Sequence, residues 1–337
     1  MKRPLLFLAV LASLLAAAML LSLWVGPTSI PTGRVFGILL SWDWDNADTD
    51  ALIVWQLRLP RVLLATFVGA GLAAAGAGYQ GLFRNPLADP FVIGASGGAA
   101  LGAAVAIVAG WEGNLLGLGA VPMAALAGSL LAVAIVYTVA TVGRDTPTIS
   151  LLLAGVAVSS LMGAGVSLLM FLSDKTLMII GWLMGSFSLK GWDDLKTTAP
   201  LIFLGAAALW LLSRPLDSLT FGEESAASLG LRMKRLRAAV VISASLVTAA
   251  SVAAGGVIGF VGLIAPHIAR LLVGARHALV IPASGLLGAL LLLVADDLAR
   301  TVIESGELPV GVITALIGGP FFLYLLKTRS SRQFIER

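Results

Sequence analysis

The sequence predicts an all-α membrane protein of ten transmembrane helices, and three observations carry that prediction. Of 337 residues, 58% are hydrophobic and only 12% charged, where a soluble domain carries about 25% charged residues. The mean hydropathy of +0.99 is too high for a polar surface to cover, and single soluble cores stop growing near ~250–300 residues. Apolar stretches also recur along the chain, separated by short polar breaks. In hydrocarbon the backbone must satisfy its own hydrogen bonds, so each stretch is expected to be a helix.

The stretches lie near 5–25, 61–80, 91–110, 119–142, 150–171, 197–213, 237–255, 257–274, 278–295 and 308–326. The first follows two basic residues, as a secretory leader would. Its apolar run from Leu5 to Val25 exceeds the ~7–15 residues of a leader core and is long enough to span at 1.5 Å per residue. The seventh and eighth are divided only by Gly255-Gly256. Glycines at close spacing, Gly94/Gly98/Gly102 and Gly69/Gly71/Gly76/Gly78, fit tight helix packing through small residues.

Charge sets the orientation. With ten spans, 15 of the 22 basic residues fall on the side of the N-terminus, among them Arg84, Arg144, Arg214 and the cluster Arg232, Lys234, Arg235 and Arg237. Asp43, Asp45, Asp48 and Asp50 lie on the other side. Lys and Arg concentrate on the cytoplasmic side, so both termini are expected there. The whole chain, 1–337, reads as a single transmembrane domain.

Two polar breaks stand out. Residues 84–90, RNPLADP, cannot continue a helix through Pro86 and Pro90. Non-helical backbone at membrane depth is tolerated only when buried in protein or lining a cavity. The segment is either a plain cytoplasmic turn or the inner lip of a pathway. Residues 214–237, RPLDSLTFGEESAASLGLRMKRLR, hold acids where a helix begins and Gly230 where one would stop. The stretch between is too short to cross a bilayer. It is either a docking knob for a soluble partner or a loop anchored by basic residues.

The chemistry classes are narrowed by what the sequence lacks. There is no cysteine, no GxxxxGK[ST] phosphate loop and no HExxH, which removes disulfides, Walker-type nucleotide binding and the common zinc hydrolase motif. Asp296, Asp297 and Arg300 sit at the outer end of the ninth stretch, where they either pair with one another or form a proton relay. His267 is a poor metal ligand without a partner, and the methionines read as gap-fillers. With no charge at mid-span, a motor outside the chain is a simpler energy source than ion coupling; an ion-coupled secondary transporter is the alternative.

A family resemblance rests on RLPR (58–61), GAGYQGLFRNPLADPFVIGASGGA (76–99), LLLAGVAVSS (151–160), WLMGSFS (182–188), FGEESAASLGL (221–231), GFVGLIAPHIARLLVG (259–274), DDLAR (296–300) and ELPVGVITALIGGPFFLYLL (307–326). These stretches resemble the FecCD permeases, membrane subunits of type II ABC importers for ferric siderophores, haem and cobalamin. The likeness runs from about residue 50 almost to the end. It implies a permease of ten helices acting as a homodimer in the bacterial inner membrane. Two ATP-binding cassette subunits would bind beneath it, and a periplasmic or lipid-anchored substrate-binding protein on top. ATP and Mg would be held by the cassette subunits, leaving no cofactor, metal or nucleic acid for this chain. A metal chelate is the implied cargo, a ferric siderophore first, then haem or cobalamin.

By the same resemblance, Asn85, Leu87, Thr148 and Ser150 match the cytoplasmic gates of the cobalamin permease. Arg58, Arg61 and Arg300 match positions that pair with carboxylates of the binding protein, a role that suits the planar fork of a guanidinium. Phe221, Gly222, Glu223, Glu224, Ser225, Ala226, Ala227, Ser228, Leu229 and Gly230 match the segment that couples to the ATPase.

Overall fold

The computed structural model describes residues 2–41, 48–115, 117–141, 143, 146–303 and 306–335, and these are almost entirely helical. The order is α1 (Lys2–Ser22), α2 (Thr32–Ser41), α3 (Thr49–Leu52), π turns at Ile53–Arg58, α4 (Leu59–Leu82), a 3-10 turn at Pro90–Ile93 and α5 (Ala95–Ala109). A small antiparallel hairpin follows, β1 (Asn114–Leu115) with β2 (Leu118–Gly119), in which Asn114 faces Gly119. Then come α6 (Ala120–Ala140), α7 (Thr148–Leu172), α8 (Thr176–Leu183), α9 (Trp192–Leu211), α10 (Ser213–Leu219), α11 (Glu223–Ser228), α12 (Met233–Gly255), α13 (Val261–Val273), α14 (His277–Thr301) and α15 (Val310–Ile335). Asp43, Asp45 and Arg144, used above for orientation, lie outside the described residues.

Each of the ten apolar stretches contains a helix: α1, α4, α5, α6, α7, α9, α12, α13, α14 and α15. Among the described residues, seven helices are long and apolar enough to cross a membrane; the apolar helices at 95–109, 261–273 and 310–325, together with Thr32–Ser41, are shorter. Seven of the ten expected spans thus reach that length among the described residues, and the shortness of α5 and α13 has a local cause. The fifth helix loses its first turn to the 3-10 segment and to Gly94, whose φ of 84° breaks the helix. The chain turns at Gly256 and resumes helix only at Val261, beginning from Phe260 at φ 70°. The first fifty residues also hold a short helix, α2, after the first apolar stretch.

The fourth helix is the pillar of the bundle. It is apolar on every side and packs against α9, α12, α13 and α14, as a helix without a polar face must. Its neighbours approach through glycines. A Cβ on Gly69 would stand 2.3 Å from the Gly288 carbonyl oxygen, and one on Gly76 would stand 1.9 Å from that of Gly262. The same device joins α5 to α6, with Gly98 against Gly128 and Gly102 against Ala124.

Prolines inside helices leave carbonyls without donors, and at two of them a side chain repairs the loss. Pro266 in α13 lacks the N–H that would bond the Gly262 carbonyl four residues earlier. Gln80 of α4 donates there instead through Nε2, at 3.4 Å. Pro282 in α14 frees the Ala278 carbonyl in the same way, and Trp210 donates to it through Nε1 at 3.1 Å. Each repair also ties two helices together.

The close approach at Gly76 yields a stability test. Gly76→Ala drives a methyl into backbone that has nowhere to move, at a cost of about 1–3 kcal/mol or more. A lower melting temperature in detergent is expected. Gly33→Ala, with nothing within 4 Å of its Cβ, should leave stability unchanged or raise it by about 0.5–1 kcal/mol.

Candidate functional site

Polar residues gather at the two ends of the bundle. The outer end, in the orientation the charges set, is a network built around arginines. Arg61 follows Pro60 in the first turn of α4. Its Nε and Nη2 donate to Asp296 at 2.9 and 2.8 Å, and its Nη1 donates to both oxygens of Glu307 at 2.9 Å. Arg300 pairs with Asp297 one turn back on α14, lies 3.3 Å from Asp296, and donates to the Ser22 hydroxyl at 2.8 Å and the Val25 carbonyl at 2.9 Å. Arg58 ends the π turns and donates to the carbonyls of Leu23, at 2.7 Å, and Thr28. The irregular helix is also held from outside, because Trp192 Nε1 donates to the Trp55 carbonyl at 2.9 Å.

These distances change the picture of the arginines. Arg58, Arg61 and Arg300 are 4, 9 and 3% exposed, so none stands free toward a partner, and none reaches outward as a lipid anchor would. What the structure does bring together is their cleft. A cavity of about 240 Å³ opens on Arg58, Arg61, Arg300, Ser188, Lys190 and Glu307. Leu189, at φ 61° and fully exposed, stands at its edge. Arg300 pairs with Asp296 and Asp297, and Asp296 pairs with Arg61 as well, the mutual pairing that was one of the two readings of these residues. Glu307 was not singled out from the sequence; its place in the ELPVG stretch, just before an apolar helix, was the available signal. Burial acts to raise its carboxyl, but the Ser188 hydroxyl and the Arg61 guanidinium outweigh burial and hold it below the ordinary range.

The inner end begins with the RNPLADP turn, where nearly every residue has a local task. Arg84 takes the left-handed conformation at φ 49°, which costs a non-glycine residue about 1 kcal/mol or more. Asn85 Oδ1 accepts from Leu87 N–H at 3.0 Å, the side-chain turn that asparagine favours. Asp89 caps the 3-10 turn by accepting from Phe91 N–H at 2.9 Å, and Pro90 opens that turn. Gln80 Nε2 donates to the Ala88 carbonyl at 3.2 Å, and Arg270 of α13 donates to the Gln80 oxygen. The turn is thus wired to α4 and α13.

Beside it lies a second cleft, of about 720 Å³, lined by Phe83, Arg84, Thr148, Ile149, Glu223, Glu224, Ala227 and Arg237 among others. The structure brings Thr148, at the start of α7, to the same cleft as Glu223 and Glu224 in the short helix α11. Asn85, Leu87 and Ser150 do not line it: the first two sit in the adjoining turn, and Ser150 lies within the first turn of α7. The short helix expected after Gly222 is present as Glu223–Ser228, with Gly230 at φ 84° after it. It hangs from an ion pair and a histidine–carboxylate contact that sequence reading missed. Glu223 pairs with Arg237 of α12, and Asp217 accepts from the backbone N–H of His277 at 2.8 Å while lying 2.7 Å from its Nδ1. Phe221 and Leu229, 79 and 72% exposed, flank the helix as bare apolar side chains.

Between the two ends, one face of α7 is exposed and uncharged: Ile149, Leu153, Val156, Ser160, Gly163 and Ser167 recur at helical spacing. The two serines donate to their own helix, to the Val156 and Gly163 carbonyls. Among the described residues no group of three or more His, Asp or Glu is placed to hold a metal ion.

Two outcomes follow from these pairs. Arg61→Ala leaves the fully buried Asp296 with Arg300 as its one remaining cation, and breaking a buried pair from one side costs up to about 3–5 kcal/mol. Arg61→Ala/Asp296→Ala should cost clearly less than the two single changes summed, measured by denaturant unfolding in detergent. At the inner turn, burial pushes the Asp89 carboxyl up to about 6, against the Phe91 hydrogen bond that favours its charged form. Its folded value exceeds the ordinary ~3.9, so this group makes the protein less stable above about 6 and more stable as pH falls toward about 4. Asp89→Asn keeps the acceptor oxygen and removes the charge. The variant should melt higher than the parent at neutral pH and lose the gain in stability on acidification.

Comparison with known proteins places this geometry. Residues 14–328 match the FecCD transport family. The chain is 46% identical over 286 residues to the cobalamin import system permease protein BtuC of Halobacterium salinarum, covering 85% of this chain and 76% of that protein. It is 39% identical to the Fe(3+)-citrate import system permease protein YfmE of Bacillus subtilis over 98% of both chains. It is 41% identical to the hemin transport system permease protein HmuU of Yersinia pestis, covering 86% of this chain and 88% of that one. A solved metal-chelate type ABC transporter in an inward-facing conformation superposes with a TM-score of 0.84 at 35% identity, covering 96% of this chain and 99% of its own. With the apolar helices and the two polar ends described above, these likenesses identify the chain as a multi-pass membrane protein of the FecCD transport family, a permease component of ABC transport.

Proposed function

We propose that the chain is the permease subunit of an ATP-driven importer in the bacterial inner membrane, working as a homodimer and moving a metal chelate inward by alternating access. The cargo is a ferric siderophore, haem or cobalamin; the relatives are named for cobalamin, iron citrate and hemin. The observation that carries the reading is the inner cleft, where Arg84 and Thr148 meet Glu223 and Glu224 of α11. A push on α11 from below is delivered within one cavity to the turn that holds Asn85 and Leu87. In this reading Asn85, Leu87, Thr148 and Ser150 form the cytoplasmic gate, and Phe221–Gly230 couples it to two ATP-binding cassette subunits. ATP and Mg belong to those subunits. The uncharged face of α7 suits a path wall whose selectivity is delegated to a binding protein docked at the outer cleft.

Two experiments test this. Proteoliposomes holding the chain with its cassette subunits should take up the chelate bound by the accompanying binding protein only when ATP is present inside the motor. Uptake that persists without the motor, or that collapses with an uncoupler, overturns the reading in favour of ion-coupled transport. Phe221→Asp with Leu229→Asp should abolish co-purification of the cassette subunits, because apolar anchors dominate such interfaces. The melting temperature should stay near that of the parent, since both side chains are exposed in the isolated chain.

A further inference from the structure

The outer cluster sets three guanidiniums, Arg58, Arg61 and Arg300, against three carboxylates, Asp296, Asp297 and Glu307. Formal charge cancels inside the chain. A carboxylate approaching from a docking protein therefore meets no net positive field, although electrostatic steering needs one. One of the three acids has to yield before the arginines are usable.

The acids are not equally fixed. Asp296 is fully buried between Arg61 and Arg300, and releasing it would leave buried charges unpaired. Asp297 is on the same helix as Arg300 and also accepts from Ser22 at 2.6 Å. Glu307 differs on each count. It belongs to the segment between α14 and α15, outside both helices, and its side chain is 25% exposed. Its partners are Arg61 Nη1 and the Ser188 hydroxyl. Of the three acids it alone lines the 240 Å³ cleft. Across that cleft Arg58 donates only to backbone carbonyls among its described hydrogen bonds.

We infer that Glu307 is a placeholder: it occupies the Arg61 site that a carboxylate of the docking protein takes over, and it leaves when that carboxylate arrives. The inference rests on the docking role proposed above for the outer cleft. In the exchange Arg61 Nη1 trades one carboxylate for another, so the buried guanidinium is never left bare. The Ser188–Glu307 bond breaks as well. That bond joins the 185–191 loop to the segment leading into α15, the same two regions linked by Val310 N–H to the Gly185 carbonyl at 3.0 Å. Docking thereby loosens one of the ties that hold α15 at the outer end.

The test measures binding of the substrate-binding protein encoded with this chain to the assembled transporter in nanodiscs, over a series of salt concentrations. Glu307→Gln leaves the cluster with an extra positive charge and a neutral occupant. The expected result is tighter docking by about tenfold, mostly through a faster on-rate, with a steeper salt dependence. Ser188→Ala, which frees Glu307 without changing charge, should tighten docking by a smaller factor. If Glu307→Gln melts like the parent and docks with equal or weaker affinity, Glu307 is a structural brace and the inference falls. Should Glu307→Gln fail to fold, Ser188→Ala decides alone, and unchanged docking overturns the inference. A parent transporter that binds no such protein at any salt concentration would instead sink the docking role itself.

Discussion

Backbone hydrogen bonds that the helices cannot make for themselves have to be made by something else in this chain, because no water is at hand in hydrocarbon to make them. That constraint decides where its few polar side chains go. Gln80 serves the carbonyl orphaned by Pro266, Trp210 the one orphaned by Pro282, and Trp192 the carbonyl of Trp55 in the π turns. Even Arg58 spends its guanidinium on the carbonyls of Leu23 and Thr28 at the end of α1. The three irregular points, at Pro266, Pro282 and the π turns, are each fastened by a side chain from a neighbouring helix.

This explains which features were legible beforehand. Hydropathy locates a helix in every apolar stretch, since an apolar run in lipid has few other ways to satisfy its backbone. The turn at RNPLADP and the short helix at 223–228 were legible because proline, asparagine, glycine and clustered acids act over a few residues. Lengths were less so. Nothing in the run from Phe91 tells that a 3-10 turn and a left-handed Gly94 consume its first four residues. The pairings were beyond reach, because Arg61 meets Glu307 from 246 residues away and Asp217 meets His277 from 60. Such distances are fixed by how the helices pack, through contacts such as Gly69 on Gly288, and not by local propensity.

The arginines show how a residue list taken from likeness leaves the chemistry unread. A docking arginine inferred from likeness is pictured as an open fork. At the mouth of a membrane bundle an open fork is costly, since a partly desolvated guanidinium needs acceptors at all times. The chain meets that need with its own acids and carbonyls, so the outer cleft is filled before any partner comes. Recognition at a surface filled in this way would be an exchange of partners, with a strength that depends on what is given up as much as on what is gained.

The two ends are also joined mechanically. The helix α14 runs 25 residues, about 37 Å, from His277, tied to the Asp217 carboxylate that precedes α11, to Asp296, Asp297 and Arg300 in the outer cluster. Its one proline, Pro282, would ordinarily be a hinge. Here the freed Ala278 carbonyl is held by Trp210 of α9, and farther along Gly288 lies too close to Gly69 for independent sliding. A rod braced at its weak point and interlocked with the central pillar transmits displacement where it would otherwise absorb it. With the exposed face of α7 carrying no charge, a rigid link of this kind is a physical route by which events at one membrane surface bear on the other.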